Sequence, residues 1–299
     1  AESDGEVRKT LFTNGKFQGD DSSRSEMRAQ YAFTLMPLLH TTARGPALVI
    51  GFGTGTSARA VQDSGFSQVH VVELSRDIVE MSQRHFARAN ANVVDRPNVH
   101  VSFTDGRNFL QLRDSKWDFI GVEISSIWFA GAASLYNVEF YELSRRRLSE
   151  QGVFQQWIQL HHVDAADIVS MLASVRAVYD HVWLYVAGGQ GVVVACPSGC
   201  PPTAETIAKL QGTPELAKGF AILGDSAADL ERSRVFTPEA TDRFLAAAGA
   251  PPSDRKRLMW VASTDDNVFL EYHTPRGNIR NDSGSFERNL ALLNRFAAR

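Results

Sequence analysis

Residues 47–55 read ALVIGFGTG and are followed by TSARAVQDSG at 56–65. A short apolar run ending in glycines, then a polar stretch with helical spacing closed by Gly65, reads as a buried strand turning into a helix. The same unit repeats downstream. QVHVVEL (68–74) predicts a strand, and SRDIVEMSQRHFARAN (75–90) a helix with Ser75 at its N-cap. VHVSFTDG (99–106) predicts a third strand before a short helix around Asn108–Leu112. WDFIGVEI (117–124) predicts a fourth strand. VEFYELSRRRLSEQG (138–152) predicts a helix closed by Gly152, and VFQQWIQL (153–160) a fifth strand. Regular strand–helix alternation predicts an α/β fold with a doubly wound, mostly parallel sheet. HVWLYV (181–186) and GVVVAC (191–196) then predict a closing antiparallel pair.

Upstream, two short runs flank Asn14-Gly15, a strong hairpin signal because both turn positions need positive φ. A hairpin is expected over residues 7–19. Met27, Tyr31, Leu35 and Leu38 recur at helical spacing, and Pro37 falls near the end of that helix. Downstream, residues 197–258 are rich in Pro, Gly and Ala and predict several short helices, an insertion or cap. TDDNVFLEYHTPRGN (264–278) returns to strand-like alternation. The domains expected are a β-hairpin region with its linking helix (1–40), a Rossmann-like catalytic domain (41–196) and a helical insertion with a C-terminal segment (197–299).

Apolar residues make up 43% of the 299 and charged residues 22%, enough for a large core and against disorder. The formal net charge of -3 argues against a generally basic nucleic-acid binder, so no nucleic-acid partner is expected. Two cysteines exclude a disulfide-dense scaffold and suit a reducing compartment. No apolar run reaches the roughly 18 to 20 residues of a membrane span, and no signal peptide is legible. A soluble, intracellular domain is the expectation. The sequence begins at Ala1 instead of Met, which reads as a piece of a longer or processed chain.

Gly51, Gly53 and Gly55 form G-x-G-x-G, not the G-x-G-x-x-G of dinucleotide enzymes, which points to the S-adenosylmethionine (SAM) variant of this fold. Glu73 closes the second strand, where an acid can accept both ribose hydroxyls; Asp105 closes the third, where an acid can accept an adenine amino group. Together they predict an adenosine site at the switch point of the sheet. Glu123 closes the fourth strand, facing the reacting part of such a ligand, where a carboxylate can orient or deprotonate a nucleophile.

NGKFQ (14–18), MPLLH (36–40), ALVIGFGTG, VVELSRDIV (71–79), TDGRNFL (104–110), WDFIGVEISSIWFAGAASLYNVEFY (117–141) and GVFQQW (152–157) occur in this order. The chain thereby resembles the spermidine synthase family of aminopropyltransferases over roughly residues 8–195. ASLYNVEFY, QWIQL and STDDNVFLEYHTPRG (263–277) resemble more closely the bacterial branch fused to a membrane-spanning segment. The resemblance implies a Rossmann-like fold whose substrate is SAM or decarboxylated SAM, cleaved between sulfur and the γ-carbon to release 5'-methylthioadenosine. It implies ribose binding by Glu73, adenine binding by Asp105 and Gly106, and an adenine pocket lined by Ala132, Ala133 and Leu135. It places Gln18 and Gln30 beside the aminopropyl arm and Glu123 in the catalytic position. It further implies a homo-oligomer, and a cytoplasmic domain joined to a membrane segment outside these residues.

Three departures stand out. The family's G-G-G-D-G loop carries an acid where this chain has Thr54; losing that acid would remove repulsion against the carboxylate of intact SAM, about 4 kcal/mol at roughly 4 Å and an effective dielectric of 20. The second acid of D-S-S-D-P is absent from Glu123-Ile124-Ser125-Ser126-Ile127, and the family's Tyr-x-Glu pair falls at Ala29 and Tyr31. With Trp128 and Phe129 bulky, the anionic and aromatic partners of a diamine look mostly lost, so putrescine is expected to be a poor acceptor. Two reactions remain level: amine transfer, and ring closure of intact SAM to homoserine lactone, a lyase or cyclase activity. A SAM-dependent methyltransferase and a non-catalytic SAM or polyamine sensor are the rivals from other classes.

Elsewhere, Cys196 and Cys200 lack a matching His pair, so they read as structural and no metal is expected. His161-His162 could reach the ligand mouth or be an ordinary loop pair. Asp265-Asp266 and Glu271-Tyr272 could line an acceptor cavity or a solvated turn. Arg145-Arg146-Arg147 and Arg255-Lys256-Arg257 read as helix-end charges or as contacts to acidic headgroups.

Overall fold

The computed structural model describes residues 8–13, 15–124, 127–128, 131–280 and 284–297. Strands β1 (Thr10–Thr13) and β2 (Lys16–Asp20) form the expected hairpin, with Gly15 at φ +76° in its turn; Asn14 lies outside the described residues. The other eight strands make one sheet: β3 (Pro46–Ile50), β4 (Gln68–Glu73), β5 (Val99–Phe103), β6 (Trp117–Val122), β7 (Leu148–Ile158), β8 (His181–Ala187), β9 (Gln190–Cys196) and β10 (Arg234–Phe236). Their order is β10-β8-β9-β7-β6-β3-β4-β5. The run from β7 to β5 is parallel, and β9, β8 and β10 close it antiparallel. The chain leaves β3 toward β4 and β5, then crosses to β6 on the other side. The switch point therefore lies between the carboxyl ends of β3 and β6, where open α/β sheets hold their ligands.

Helix α1 (Glu26–Leu38) follows the hairpin, α2 (Thr56–Asp63) follows β3 and α3 (Arg76–His85) follows β4. The apolar spacing in α1 predicted one buried face. In fact Tyr31 through Leu38 are all buried, because α1 is clamped between the sheet and helices of the later insertion. Two hydrophobic clusters flank the sheet, one built on α1, α2 and the insertion, the other on Tyr136–Leu143, Ile168–Val178 and the C-terminal helices.

Four expectations change. The helix after Asn137 ends at Arg147, and β7 begins at Leu148 instead of after Gly152, because Leu148 already pairs with Trp117. The insertion is not purely helical, since Arg234–Phe236 adds the outer strand β10. The segment 264–278 is not a strand. It forms helices Phe269–His273 and Pro275–Arg280, started by a turn in which Asn267 Oδ1 accepts the N–H groups of Thr264 and Phe269. So short an alternation fits a single helical turn as well as a strand. Finally, Cys196 and Cys200, whose number suited a reducing compartment, are joined in a disulfide, a bond that persists in oxidising surroundings. No helix among the described residues is long and apolar enough to cross a membrane.

Candidate active site

At the switch point two cavities meet. The first, about 460 Å³, is lined by the β3 loop (Gly51, Phe52, Gly53), by Glu73, Leu74, Ser75 and Ile78, by Asp105, and by Gly131, Ala132 and Leu135. The second, about 310 Å³, is lined by α1 (Glu26, Ala29, Gln30, Phe33), by Trp128 and Trp157, by His161 and His162, and by Gln190. Both sizes suit small ligands. Gln18, Phe52, Gly53 and Glu123 border both cavities and form the wall they share.

The first cavity is arranged by its backbone. Gly51 turns at φ +95°, and a Cβ there would meet the Glu123 carbonyl oxygen at 2.8 Å, so only glycine lets the β3 and β6 ends close on each other. The Glu73 carboxylate is fixed on both oxygens: Oε2 accepts from the Phe52 N–H at 2.9 Å and Oε1 from the Ser75 N–H at 3.0 Å. Ser75 is thus the N-cap of α3 by position, but its hydroxyl makes no cap bond. Asp105 caps the helix Gly106–Gln111 by accepting from the Asn108 N–H at 2.8 Å. Gly106 sits against Ile50, which a Cβ would strike at 2.4 Å, so it packs the helix onto the sheet and does not border the cavity.

The second cavity carries the charge. Glu123 continues β6, its N–H donating to the Ile50 carbonyl at 2.9 Å. The residue is partly exposed and borders both cavities. Burial pushes it up to about 8, the Gln155 amide works against that rise, and the nearby Glu26 charge adds to it. Burial also raises Glu26, offset by its bond to Gln30. Burial lowers His161, with His162 beside it acting the same way, which favours a neutral imidazole. His162 holds φ +55°, unusual for a residue with a side chain; its N–H donates to Ser285 Oγ at 2.8 Å, and a Cβ at Gly277 would collide with its carbonyl.

Of the residues singled out in the sequence, Gln18, Gln30, Gly51, Gly53, Glu73, Asp105, Glu123, Ala132 and Leu135 border the cavities. Thr54, Gly55, Gly106 and Ala133 stand behind the wall. Thr54 is buried, its hydroxyl donating to Gln30 Oε1 at 3.2 Å and lying 3.0 Å from Thr56 Oγ1, so it offers no hydroxyl to a ligand. Ser125, Ser126 and Phe129 lie outside the described residues. Sequence reasoning missed Glu26, Phe33, Trp157 and Gln190. Glu26 was within reach: it lies one helical turn before Gln30 and therefore on the same face. Glu26, Phe33 and Trp157 bring a carboxylate and two aromatic rings to the second cavity. Asp265 does not line the site: it pairs with Arg107 and accepts from Asn137 at 3.0 Å. Asp266, Glu271 and Tyr272 do not line it either. Arg145 and Arg147 donate to the chain's own backbone, at the Val178 and Leu110 carbonyls at 2.7 and 3.0 Å, and Arg255 donates to Ala177. Away from the cavities, Asp164, Asp167 and His273 each bring a possible ligand atom within 4.8 Å of the others. Asp167 is already committed, to His273 Nδ1 at 2.6 Å and to the Asp164 N–H.

The family model for the spermine/spermidine synthase domain matches residues 26–188, more than half of the chain. This chain belongs to the spermine/spermidine synthase family. Curated relatives include polyamine aminopropyltransferase 2 of Pseudomonas aeruginosa, 28% identical over 60% of this chain and 52% of the relative. The polyamine aminopropyltransferase of Thermoplasma acidophilum is also 28% identical, over 64% of this chain and 67% of the relative. The chain spans about half the length of several curated relatives that it matches. Among solved structures, spermidine synthase from Thermotoga maritima superposes with a TM-score of 0.56 at 18% identity, covering 71% of this chain and 78% of that one. A probable spermidine synthase from Corynebacterium glutamicum gives 0.53 at 21%, covering 72% and 82%. These likenesses show the family's Rossmann-like fold.

Proposed function

We propose that the chain transfers an aminopropyl group from decarboxylated SAM to an amine and releases 5'-methylthioadenosine. The observation that carries this reading is the shared wall. A ligand whose nucleoside fills the first cavity can reach the second only past Gln18, Phe52, Gly53 and Glu123. The reacting carbon then sits beside the carboxyl best suited to take a proton.

Each group has a role that follows from its setting. Glu73, already held by two N–H groups, offers its remaining lone pairs to the ribose hydroxyls. Asp105 accepts from the adenine amino group, with Ala132 and Leu135 packing on the ring. Gln18 orients the arm. The amine nitrogen attacks the carbon next to sulfur, and the carbon–sulfur bond breaks. Its electron pair returns to sulfur, which leaves as a neutral thioether. The proton released by the amine passes to Glu123, the carboxylate on the wall the two cavities share.

Ring closure of intact SAM rested on the loss of an acid at Thr54, but Glu26 brings another anion to the cavity that an α-carboxylate would enter, so the repulsion returns. Methyl transfer is disfavoured by a second cavity of about 310 Å³ with two carboxylates, far more room than a methyl acceptor atom needs. The test is incubation with decarboxylated SAM and putrescine, followed by mass spectrometry. Methylthioadenosine together with an aminopropylated amine supports the reading. S-adenosylhomocysteine from SAM, or homoserine lactone, replaces it.

A further inference from the structure

The loop that leaves β9 holds two bonded sulfurs in unlike settings. Cys196 ends β9, pairs with His181 across the sheet and is buried among apolar side chains. Its partner Cys200 is partly exposed in the loop 197–203. His40, two residues beyond α1, meets Cys200 from the other side. Its Nδ1 lies 2.7 Å from the Cys200 carbonyl oxygen and 3.9 Å from the Cys200 Sγ, and its Nε2 lies 2.8 Å from the Tyr185 hydroxyl. A carbonyl only accepts, so Nδ1 carries the ring proton and Nε2 accepts from Tyr185. Burial drives His40 down to about 3, which keeps the ring neutral, and Trp183 packs on it with 4.6 Å between ring centres. The other titratable and charged groups around the loop stand further back. Glu231 Oε2 lies 3.3 Å from the Tyr185 hydroxyl, and Oε1 of the same carboxylate pairs with Arg234 at 2.8 Å. His181 sits beside Gly199, whose Cβ would come within 3.5 Å of its Nε2, and Lys209 donates to the Thr42 carbonyl at 3.5 Å. None of these residues borders the two cavities of the candidate active site.

We propose that Cys196 and Cys200 form a thiol–disulfide exchange site for small disulfides and dithiols, with Cys200 as the exchanging sulfur and His40 as its N–H donor. Once the bridge opens, the two sulfurs differ in chemistry. Apolar burial disfavours a thiolate at Cys196. At Cys200 the Nδ1–H of His40 can turn from the carbonyl to the neighbouring sulfur and favour one. Tyr185 is a positioning residue that holds Nε2 as the acceptor. The Cys200 thiolate attacks one sulfur of a small disulfide, forms a mixed disulfide and expels a thiolate. Cys196 gives up its proton and attacks the Cys200 Sγ, which rebuilds the bridge and expels the second thiolate. The two protein thiols are oxidised, the small disulfide is reduced to two thiols, and the two protons end on those thiols. A dithiol drives the same steps in reverse, entering at the partly exposed Cys200. The inference is independent of the transfer reading.

The test uses the full chain, reduced with dithiothreitol and then freed of it. Rates of iodoacetamide alkylation at each cysteine, mapped by peptide mass spectrometry across pH, give the two thiol pKa values. Cys200 should titrate at about 7.5 or lower, against an ordinary thiol value of about 8.5, and at pH 7 should react at least about tenfold faster than Cys196. Oxidised glutathione is the disulfide probe. In Cys196→Ser it should leave a lasting mixed disulfide on Cys200, and in Cys200→Ser it should add to Cys196 at least about tenfold more slowly. His40→Leu should slow Cys200 at pH 7 by about tenfold, and His40→Asn, which keeps an N–H near the place of Nδ1, should recover most of the rate. A wild-type Cys200 that titrates at about 8.5 or above, or equal glutathione uptake by the two cysteines, overturns the proposal whether or not the His40 variants fold. Unchanged Cys200 reactivity in a folded His40→Leu overturns it as well.

Discussion

A buried carboxyl at the junction makes the affinity for a sulfonium donor depend on pH in a calculable way. In the empty site Glu123 titrates at about 8, so at pH 7 roughly a tenth of it is ionised. A sulfonium placed roughly 4 Å away at an effective dielectric of 20 favours the ionised form by about 4 kcal/mol, or about 3 pKa units. Binding therefore lowers the pKa of Glu123 well below about 8. The sign follows. A ligand that prefers the ionised form binds more tightly as pH rises, until the free site is itself ionised. Donor affinity should climb by up to about tenfold per pH unit as pH rises toward about 8 and level off above that. Methylthioadenosine shares the nucleoside but carries no charge on sulfur, so its affinity should be nearly flat over the same range. Calorimetric titrations of decarboxylated SAM and methylthioadenosine from pH 5.5 to 8.5 separate the two curves. In Glu123→Gln the donor slope should collapse toward that of the neutral ligand. A flat donor curve in the wild type, or an unchanged slope in Glu123→Gln, refutes the electrostatic argument.

Other outcomes can be checked separately. Glu123→Gln should lower kcat by about 10² to 10⁴, the usual contribution of a positioned base, while leaving methylthioadenosine affinity nearly unchanged. Glu73→Ala removes the acceptor of the ribose hydroxyls and frees the Phe52 and Ser75 N–H groups, so methylthioadenosine should bind at least tenfold more weakly by fluorescence or calorimetry. Gly219→Ala would drive a methyl to 2.7 Å from the Tyr31 ring, and overpacking of this kind costs about 1 to 3 kcal/mol, to be read as a lowered unfolding midpoint in urea. The Cys196–Cys200 bridge closes a loop of only four intervening steps, so Cys200→Ser should cost at most about 2 kcal/mol, and mass spectrometry with and without reductant should differ by two hydrogens.

The parallel sheet was readable because each of its strands is a short apolar run punctuated by a turn, and the order of helices between them admits few topologies. The nucleoside cavity was readable for the same reason: Gly51, Glu73, Asp105 and Glu123 each sit where a strand ends, and strand ends converge at the switch point. The second cavity was harder. Its walls come from α1, from the end of β7 and from the β8–β9 turn, elements far apart in sequence and brought together by packing alone. Glu26 carries no local mark of function beyond its helical spacing to Gln30. Thr54 misled in the opposite sense. Its place in the glycine loop suggested contact with the ligand, but the loop turns its side chain inward to Gln30 and Thr56. The C-terminal segment failed because alternation over a few residues does not separate a strand from one turn of helix, and the capping by Asn267 decided it.

The central claim is that the carbon–sulfur bond of a decarboxylated SAM donor is cleaved at the shared wall and its three-carbon arm passes to an amine. Mass spectrometry of one incubation with decarboxylated SAM and putrescine tests it directly. The account predicts equimolar methylthioadenosine and a putrescine derivative heavier by one aminopropyl group, both formed at least about a hundredfold more slowly in Glu123→Gln. Binding of the donor with neither product formed would contradict it.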